Sequence, residues 1–264
     1  MPIEWLLYPL LGIVAGLLAG LLGIGGGLVL VAALVLVLPG QGVPLSAAMH
    51  AALATSLASV VITSLASTRA HWRRGSVAWP SVAWLVPGLL PGAWLGSLLA
   101  TRLPGENLRL FVVAYCVVAA LQLFFGLPRA RPDGANAPGG PGLAAAGVGI
   151  GAVSSLVGIG GGSMTVPLLV TLGLAPVRAV GTSSACGVAI GVAAAVGYAQ
   201  MAGPVDMPQG SVGYVYLPAA IGISLTSALM APHGAALAHR ISPVALRRVF
   251  AAFLLAMALV LLRA

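Results

Sequence analysis

Long apolar runs, separated by short polar or Pro/Gly-rich stretches, dominate the chain. They cover residues 5–38, 44–68, 77–101, 108–126, 142–174, 177–200, 211–237 and 244–262. A transmembrane helix needs about 20 predominantly apolar residues, so this pattern predicts several helical membrane crossings. The runs are apolar throughout and do not alternate with polar positions, which argues against an outer-membrane β-barrel. We therefore expect an all-α polytopic membrane protein.

The composition strengthens this expectation. Only 6% of the 264 residues are charged, as 12 arginines, no lysine and 4 acidic residues, and 60% are hydrophobic. A soluble domain carries about 25% charged residues, so the chain is a poor candidate for a soluble enzyme or a nucleic-acid-binding module. The net charge of +8 reflects arginines in a few loops and does not predict a nucleic-acid partner. The expected surroundings are the lipid bilayer.

The two halves of the chain resemble each other. The cluster Gly-Ile-Gly-Gly-Gly at 23–27 recurs at 158–162, and a Thr-Ser pair follows each copy, at 55–56 and 182–183. Ordered matches of this kind indicate an internal duplication. A Pro/Gly-rich stretch lies between the halves. We predict a first transmembrane repeat at 1–126, a cytoplasmic linker at 127–142 and a second repeat at 143–264.

Three consecutive glycines inside an apolar run predict a broken helix. Each glycine in a helix interior costs about 1 kcal/mol relative to alanine, and backbone groups freed within the hydrocarbon must face protein or a polar cavity. Broken helices at corresponding places in two repeats point to the binding site of a transporter. For Gly12, Gly16 and Gly20, whose spacing suits close helix packing, packing is the favoured interpretation.

The arginines favour an inverted arrangement of the repeats. With eight simple crossings they divide equally between the two sides of the membrane. If each repeat instead begins with a glycine-broken helix or hairpin and continues with three transmembrane helices, nine arginines lie on one side and three on the other. Because cytoplasmic loops are enriched in Arg and Lys, this second arrangement is preferred, and it places both termini in the periplasm.

Several residues resemble those of the sulfite exporter TauE/SafE family of membrane permeases. The resemblance rests on the duplicated Gly-x-Gly-Gly-Gly cluster, on Val166-Pro167 and on Ala-Val-Gly-Thr-Ser at 179–183. It covers nearly the whole chain and implies transport of sulfur-containing anions, such as sulfite, organosulfonates or thiosulfate, across the bacterial inner membrane. The first copy departs from the pattern: Leu30 and Val31 replace Val-Pro, and Ala54 precedes Thr55.

The glycine clusters and the hydroxyls near them are the predicted substrate site. A helix that restarts after a break offers free N–H groups and a partial positive charge to an oxyanion, and hydroxyls can add hydrogen bonds. Hydroxyls inside a membrane can instead bond to carbonyls of their own helix. The predicted substrate-binding residues are Gly25, Gly26, Gly27, Thr55, Ser56, Gly160, Gly161, Gly162, Ser163, Thr165, Thr182 and Ser183.

Histidines are the remaining ionisable candidates. His50 lies within an apolar run, where an ionisable group is costly and points to function, so it is our candidate for proton coupling; it could instead cap an interfacial turn. His233 lies between Pro232 and Gly234 and is a weaker candidate, and His71 and His239 neighbour loop arginines and are expected to be solvated. Neither CxxC nor Cys/His spacing occurs, and we predict no metal and no cofactor.

Three functional hypotheses follow. The first is a secondary transporter that moves a small sulfur-containing anion by alternating access, coupled to H⁺ or Na⁺. The second is an anion channel on the same architecture. The third is a membrane enzyme, which the absence of a carboxylate from the apolar spans disfavours. We favour the transporter and expect no enzymatic activity; the sequence leaves open whether the protein forms a homodimer.

Overall fold

A computed structural model describes residues 4–23, 26–125, 137–201 and 207–263. Within these ranges the chain forms ten α-helices. They are α1 (Glu4–Leu22), α2 (Gly27–Val37), α3 (Leu45–Trp72), α4 (Trp79–Ala100), α5 (Gly105–Phe124), α6 (Pro141–Val157), α7 (Gly162–Thr171), α8 (Pro176–Gln200), α9 (Leu217–Ala238) and α10 (Pro243–Arg263). A 3₁₀ turn, Leu38–Gln41, extends α2. Most of the predicted linker at 127–142 lies outside the described residues.

The helices α3, α4, α5, α8 and α9 are each long and apolar enough to cross a membrane. These five spans lie within the described part of the chain. They confirm the predicted all-α polytopic membrane protein.

The predicted helix breaks are present in both halves. The run 5–38 divides into α1 and α2, and the run 142–174 divides into α6 and α7. Each division falls at a glycine cluster. The second helix of each pair is short, with 11 residues in α2 and 10 in α7. Such lengths are well below the roughly 20 residues of a full crossing.

The packing of the helices repeats when the two halves are exchanged. Helix α1 of the first half packs on α9 of the second, and α6 of the second packs on α4 of the first. In the same way α3 packs on α9, and α8 packs on α4. Two further contacts join equivalent helices of the two halves, namely α3 with α8 and α5 with α10. This exchange of partners is what a duplicated chain is expected to produce. The inversion of the repeats relative to the membrane remains a prediction.

Two rows of glycines, one on α1 and one on α4, allow the closest of these helix contacts and are called seams here. A Cβ on any glycine of either seam would overlap backbone atoms of the facing helix. Close approach through small residues is a common way for membrane helices to associate. The packing interpretation of the first seam is thereby confirmed, and α4 carries a similar seam of three glycines. The seams are Gly12, Gly16 and Gly20 of α1 against α9, and Gly88, Gly92 and Gly96 of α4 against α6.

A short β-hairpin precedes α9, within a run that the sequence pattern assigned to a helical span. Its strands, β1 (Ser211–Val212) and β2 (Val215–Tyr216), pair antiparallel. Gly213 lies in the connecting turn with φ 55°, a conformation that residues other than glycine rarely adopt. The hairpin delays the start of α9 to Leu217 and places Tyr216 directly before its first turn.

Candidate functional site

The two glycine breaks meet inside the molecule. A Cβ on Gly27, the first residue of α2, would overlap the carbonyl oxygen of Gly158, which ends α6. The Cβ position of Gly158 in turn faces the side chains of Val31 and Leu53. The described residues of both breaks are buried. The breaks therefore form one buried region to which both halves contribute.

The described glycines that follow the first helix and precede the second helix of each pair have the same left-handed conformation in both breaks. Gly23 and Gly158 follow α1 and α6 with φ of 70° and 78°, and Gly26 and Gly161 precede α2 and α7 with φ of 71° and 77°. Only glycine adopts these left-handed angles readily. Space is also limiting, since a Cβ on Gly26 would overlap the backbone of Ala15. The glycines are thus required by the break itself.

Both short helices begin without a side-chain cap. Gly26 and Gly161 occupy the N-cap positions and supply no side-chain hydrogen bond. The N–H groups of Gly27, Gly162 and Ser163 donate no hydrogen bond to another described residue. The first N–H groups of a helix carry partial positive charge and suit an anion. Two such helix starts lie in the same buried region.

In each half, a serine donates a hydrogen bond to the glycine break of the other half. Ser56 Oγ on α3 lies 3.0 Å from the carbonyl oxygens of both Gly27 and Gly158, which share its single O–H donor. Ser183 Oγ on α8 donates to the carbonyl oxygen of Gly23, also at 3.0 Å. Ser56 thus reaches the glycine that ends α6, and Ser183 reaches the glycine that follows α1. The predicted Thr-Ser pairs therefore contact the glycine breaks, through their serines.

The threonines of these pairs accept hydrogen bonds from residues that directly precede two long helices. Thr55 Oγ1 accepts a hydrogen bond from the N–H of Tyr216, before α9, and Thr182 Oγ1 accepts one from the N–H of Ala78, before α4. Both threonines are buried. Each hydroxyl therefore stabilises the start of a long helix. Thr182 also donates to the carbonyl of Arg178 in its own helix, as the alternative interpretation of membrane hydroxyls predicted.

The second break is richer in hydroxyls than the first. Ser163 Oγ bonds to the hydroxyl of Tyr115 on α5, a residue of the first half. Thr165 Oγ1 is buried and has no hydrogen-bond partner in the described structure. At the corresponding positions of the first copy, α2 carries Leu28 and Leu30. The start of α2 therefore offers only backbone groups to a ligand, whereas the start of α7 also offers hydroxyls.

Two further unpartnered hydroxyls lie beside the second break. A Cβ on Gly161 would lie 3.2 Å from Ser154 Oγ, and a Cβ on Gly187 would lie 2.7 Å from Ser64 Oγ and 3.2 Å from the carbonyl oxygen of Gly160. Both hydroxyls are buried and have no partner in the described structure. A buried hydroxyl without a partner costs free energy, and a bound acceptor would recover it. The polar side of the site is therefore at the second break.

His50 lies apart from the breaks. Its Nε2 is 3.2 Å from the carbonyl oxygen of Ala100, the last residue of α4, and 3.0 Å from that of Leu103. Its ring stacks on Tyr214 of the β-hairpin, with centroids 5.2 Å apart. These contacts match the capping alternative for His50. They leave proton coupling as a prediction.

The environment of His71 differs from the solvated one that its neighbouring arginines suggested. His71 is 0% exposed, and its Nε2 lies 3.0 Å from the carbonyl oxygen of Gly20. It therefore connects α3 to the end of α1, next to the first break. Its ring centroid lies 5.8 Å from that of His239, which is exposed as expected. Partial burial, together with the nearby Arg74, lowers the pKa of His239.

The structure brings most of the predicted site together. Gly26, Gly27 and the second glycine cluster form the buried region, with Ser56 and Ser183 bonded to it, and Gly25 lies outside the described residues. Their role in binding a substrate stays a prediction.

Other contributors to this region were missed by sequence reasoning. They are Tyr115, Ser64 and Ser154, and no motif marks them. Among the described residues, no group of three or more His, Cys, Asp or Glu could hold a metal ion.

Comparisons with known proteins agree with this architecture. The profile of the family described as "Sulfite exporter TauE/SafE" matches residues 8–261. A protein of Haemophilus influenzae named "Probable membrane transporter protein" is 35% identical over 257 residues, which cover 96% of each chain. No solved structure matches the chain significantly.

More distant relatives carry similar names. The "Probable membrane transporter protein YunE" of Bacillus subtilis is 28% identical over 68% of this chain and 72% of its own length. A "Probable membrane transporter protein" of Xylella fastidiosa is 31% identical over 72% of each chain. The match of the family profile to nearly the whole chain places the protein among membrane permeases. The chain belongs to the sulfite exporter TauE/SafE family.

Proposed function

We propose that the protein is a secondary transporter that carries a small sulfur-containing anion, of the sulfite, organosulfonate or thiosulfate class, across the bacterial inner membrane. The family description and the names of the relatives support transport. The observation that carries the proposal is the buried region formed by the two glycine breaks, where α2 and α7 each begin without a side-chain cap and unpartnered hydroxyls lie beside the second break. The protein acts as a permease and not as an enzyme.

The chemistry of the site suits an oxyanion. Its free groups are backbone N–H donors at the starts of α2 and α7 and the hydroxyls of Ser64, Ser154 and Thr165. Oxygen atoms of a sulfite or sulfonate group accept hydrogen bonds from such donors, and the helix starts favour negative charge. Because α7 offers hydroxyls and α2 does not, the anion binds mainly at the second break.

Alternating access fits the way in which the halves are joined. The side-chain bonds that link the halves at the breaks run from Ser56 to Gly158 and from Ser183 to Gly23, and a third joins Tyr115 and Ser163. If some of these bonds between the halves break while the others stay formed, the buried region opens to one side of the membrane. An anion that bonds to the helix starts can thereby bias the two states, since only differential contacts shift such an equilibrium.

Orientation and coupling complete the proposal. The linker at 127–142 and nine of the arginines face the cytoplasm, and both termini face the periplasm, in keeping with the enrichment of arginine in cytoplasmic loops. H⁺ or Na⁺ is the coupling ion, and His50 is the candidate for carrying a proton.

Binding of anions to the purified protein tests this proposal. Thermal unfolding in detergent is measured with sulfite, thiosulfate, a short alkyl sulfonate or chloride at equal ionic strength. A ligand that binds only the folded state raises its stability, so we expect the sulfur oxyanions to raise the unfolding temperature in a saturable way and chloride not to do so. Equal effects of all these anions would contradict a site for sulfur oxyanions.

A further inference from the structure

A groove separate from the glycine breaks lies on the outer surface between α3 and α9. Its volume is about 670 Å³. Apolar side chains line one part of it, namely Leu65 and Ala66 of α3 with Ala228 of α9. Arg69 and Trp72 of α3 line the other part, together with Arg73, which directly follows α3. The groove therefore has an apolar and a basic portion.

The order of these residues follows the axis of α3. From Leu65 to Arg73 the helix rises about 12 Å, at 1.5 Å per residue. The side chains change along this distance from apolar to cationic, with the indole of Trp72 among the cations. Arg69 and Arg73 are separated by four residues and share one helix face. Leu65 and Trp72 are 48% and 61% exposed, so the groove is open to its surroundings.

The two arginines of the groove are free to bind a ligand. Neither the Arg69 nor the Arg73 guanidinium forms a hydrogen bond or ion pair in the described part of the chain, whereas Arg74 Nη1 donates to the carbonyl oxygen of Ala70 at 2.9 Å. Among the described residues that line the groove, none is acidic. The described protein therefore leaves their positive charge without a counter-charge.

We propose that this groove binds one anionic phospholipid. The phosphate bonds to Arg69 and Arg73, Trp72 lies at the level of the headgroup, where tryptophan is enriched, and an acyl chain lies along Leu65 and Ala228. Basic pockets between membrane helices bind anionic headgroups in this way. The lipid contacts α3 of the first half and α9 of the second, and it is distinct from the transported anion.

Native mass spectrometry of the purified protein tests the proposal. The protein is titrated with phosphatidylglycerol or with phosphatidylcholine of the same acyl chains. We expect phosphatidylglycerol to bind about tenfold more tightly, because each nearby arginine attracts an anionic lipid, and the double variant R69Q/R73Q to lose this preference. The matched control is R102Q/R248Q, which removes two exposed arginines outside the groove, and it should keep the preference.

Three results would overturn the proposal. The first is equal binding of the two lipids to the wild-type protein. The second is an unchanged preference in R69Q/R73Q, or an equal loss in R102Q/R248Q, which would indicate a general effect of charge. The third is displacement of the lipid by soluble glycerol phosphate at the same concentration, which would indicate a site for phosphate alone. Thermal unfolding of each variant confirms that it is folded.

Discussion

Ser56 of the first half donates a hydrogen bond from its Oγ to the carbonyl oxygen of Gly158 in the second half, over 3.0 Å. Ser183 of the second half makes the reciprocal bond to Gly23. Each half therefore holds the glycine break of the other. This reciprocity explains why a Thr-Ser pair follows the glycine cluster in both copies.

Loss of the Ser56 hydroxyl should destabilise the protein. S56A removes the one O–H donor that two buried carbonyl oxygens share, which costs about 1–3 kcal/mol. We expect a lower unfolding temperature in detergent and reduced transport. S155A is the matched control, because the buried Ser155 Oγ bonds within its own helix, to the carbonyl of Ala152. Equal stability of S56A and S155A would contradict the role of Ser56.

A methyl group on Gly161 should abolish transport. The left-handed conformation costs a non-glycine residue about 1–2 kcal/mol, and the added Cβ would lie 2.5 Å from Ile190 Cδ1. G149A is the control: Gly149 lies within α6 and has nothing within 4 Å of its Cβ position, so we expect this variant to be as active as wild type. Flux into proteoliposomes measures both. Full activity of G161A with normal expression would refute the assignment.

The unpartnered hydroxyl of Thr165 should matter for binding and not for folding. T165V keeps the shape of the side chain and removes a buried hydroxyl that has no partner in the described structure. Removing it costs no protein hydrogen bond, so stability should be unchanged or higher. A hydrogen bond to a charged ligand is worth about 1.5–3 kcal/mol, so anion affinity should fall roughly 10–100-fold. A destabilised T165V with normal affinity would show that the hydroxyl is structural.

Replacement of His50 distinguishes a role in proton coupling from a role in capping. In H50Q the amide can still donate to the carbonyl oxygens of Ala100 and Leu103, but it cannot titrate. If His50 carries the coupling proton, flux should depend less on pH in H50Q than in the wild-type protein. Flux is measured as a function of pH at a fixed anion gradient. A profile identical to that of wild type would leave His50 with the capping role alone.

The orientation can be tested with a single cysteine. The native Cys116 and Cys186 are buried, whereas Gly142, at the end of the predicted linker, is exposed and has nothing within 4 Å of its Cβ position. We expect an impermeant maleimide to label G142C in inverted membrane vesicles and not in intact cells. Labelling of intact cells would place this end of the linker in the periplasm and reverse the proposed orientation.

The sequence was most informative where two copies could be compared. The breaks at 23–27 and 158–162 were predictable because neither copy can continue a helix through so many glycines. The recurrence of the Thr-Ser pair after each glycine cluster predicted that Ser56 and Ser183 lie near the breaks. It could not predict which atoms they bond to. The reciprocal hydrogen bonds required the fold.

Features that exist in one copy only were harder to predict. Tyr115 reaches Ser163 across the interface between the halves, and no local pattern marks such a distant pair. The β-hairpin before α9 lies inside an apolar run whose hydrophobicity concealed the turn at Gly213. His71 is buried because α3 continues to Trp72 beside the end of α1, although its neighbours in sequence include arginines.

Coupled anion transport is tested most directly by uptake of labelled sulfite into proteoliposomes under an imposed proton gradient, with organosulfonates and thiosulfate as competitors. We predict saturable uptake that responds to the gradient, accelerates when unlabelled anion is present on the far side, and is lost in G161A. Flux that rises linearly with concentration and shows no counter-flow would indicate a channel. The absence of flux for every sulfur anion, with folded protein, would contradict the proposed substrate.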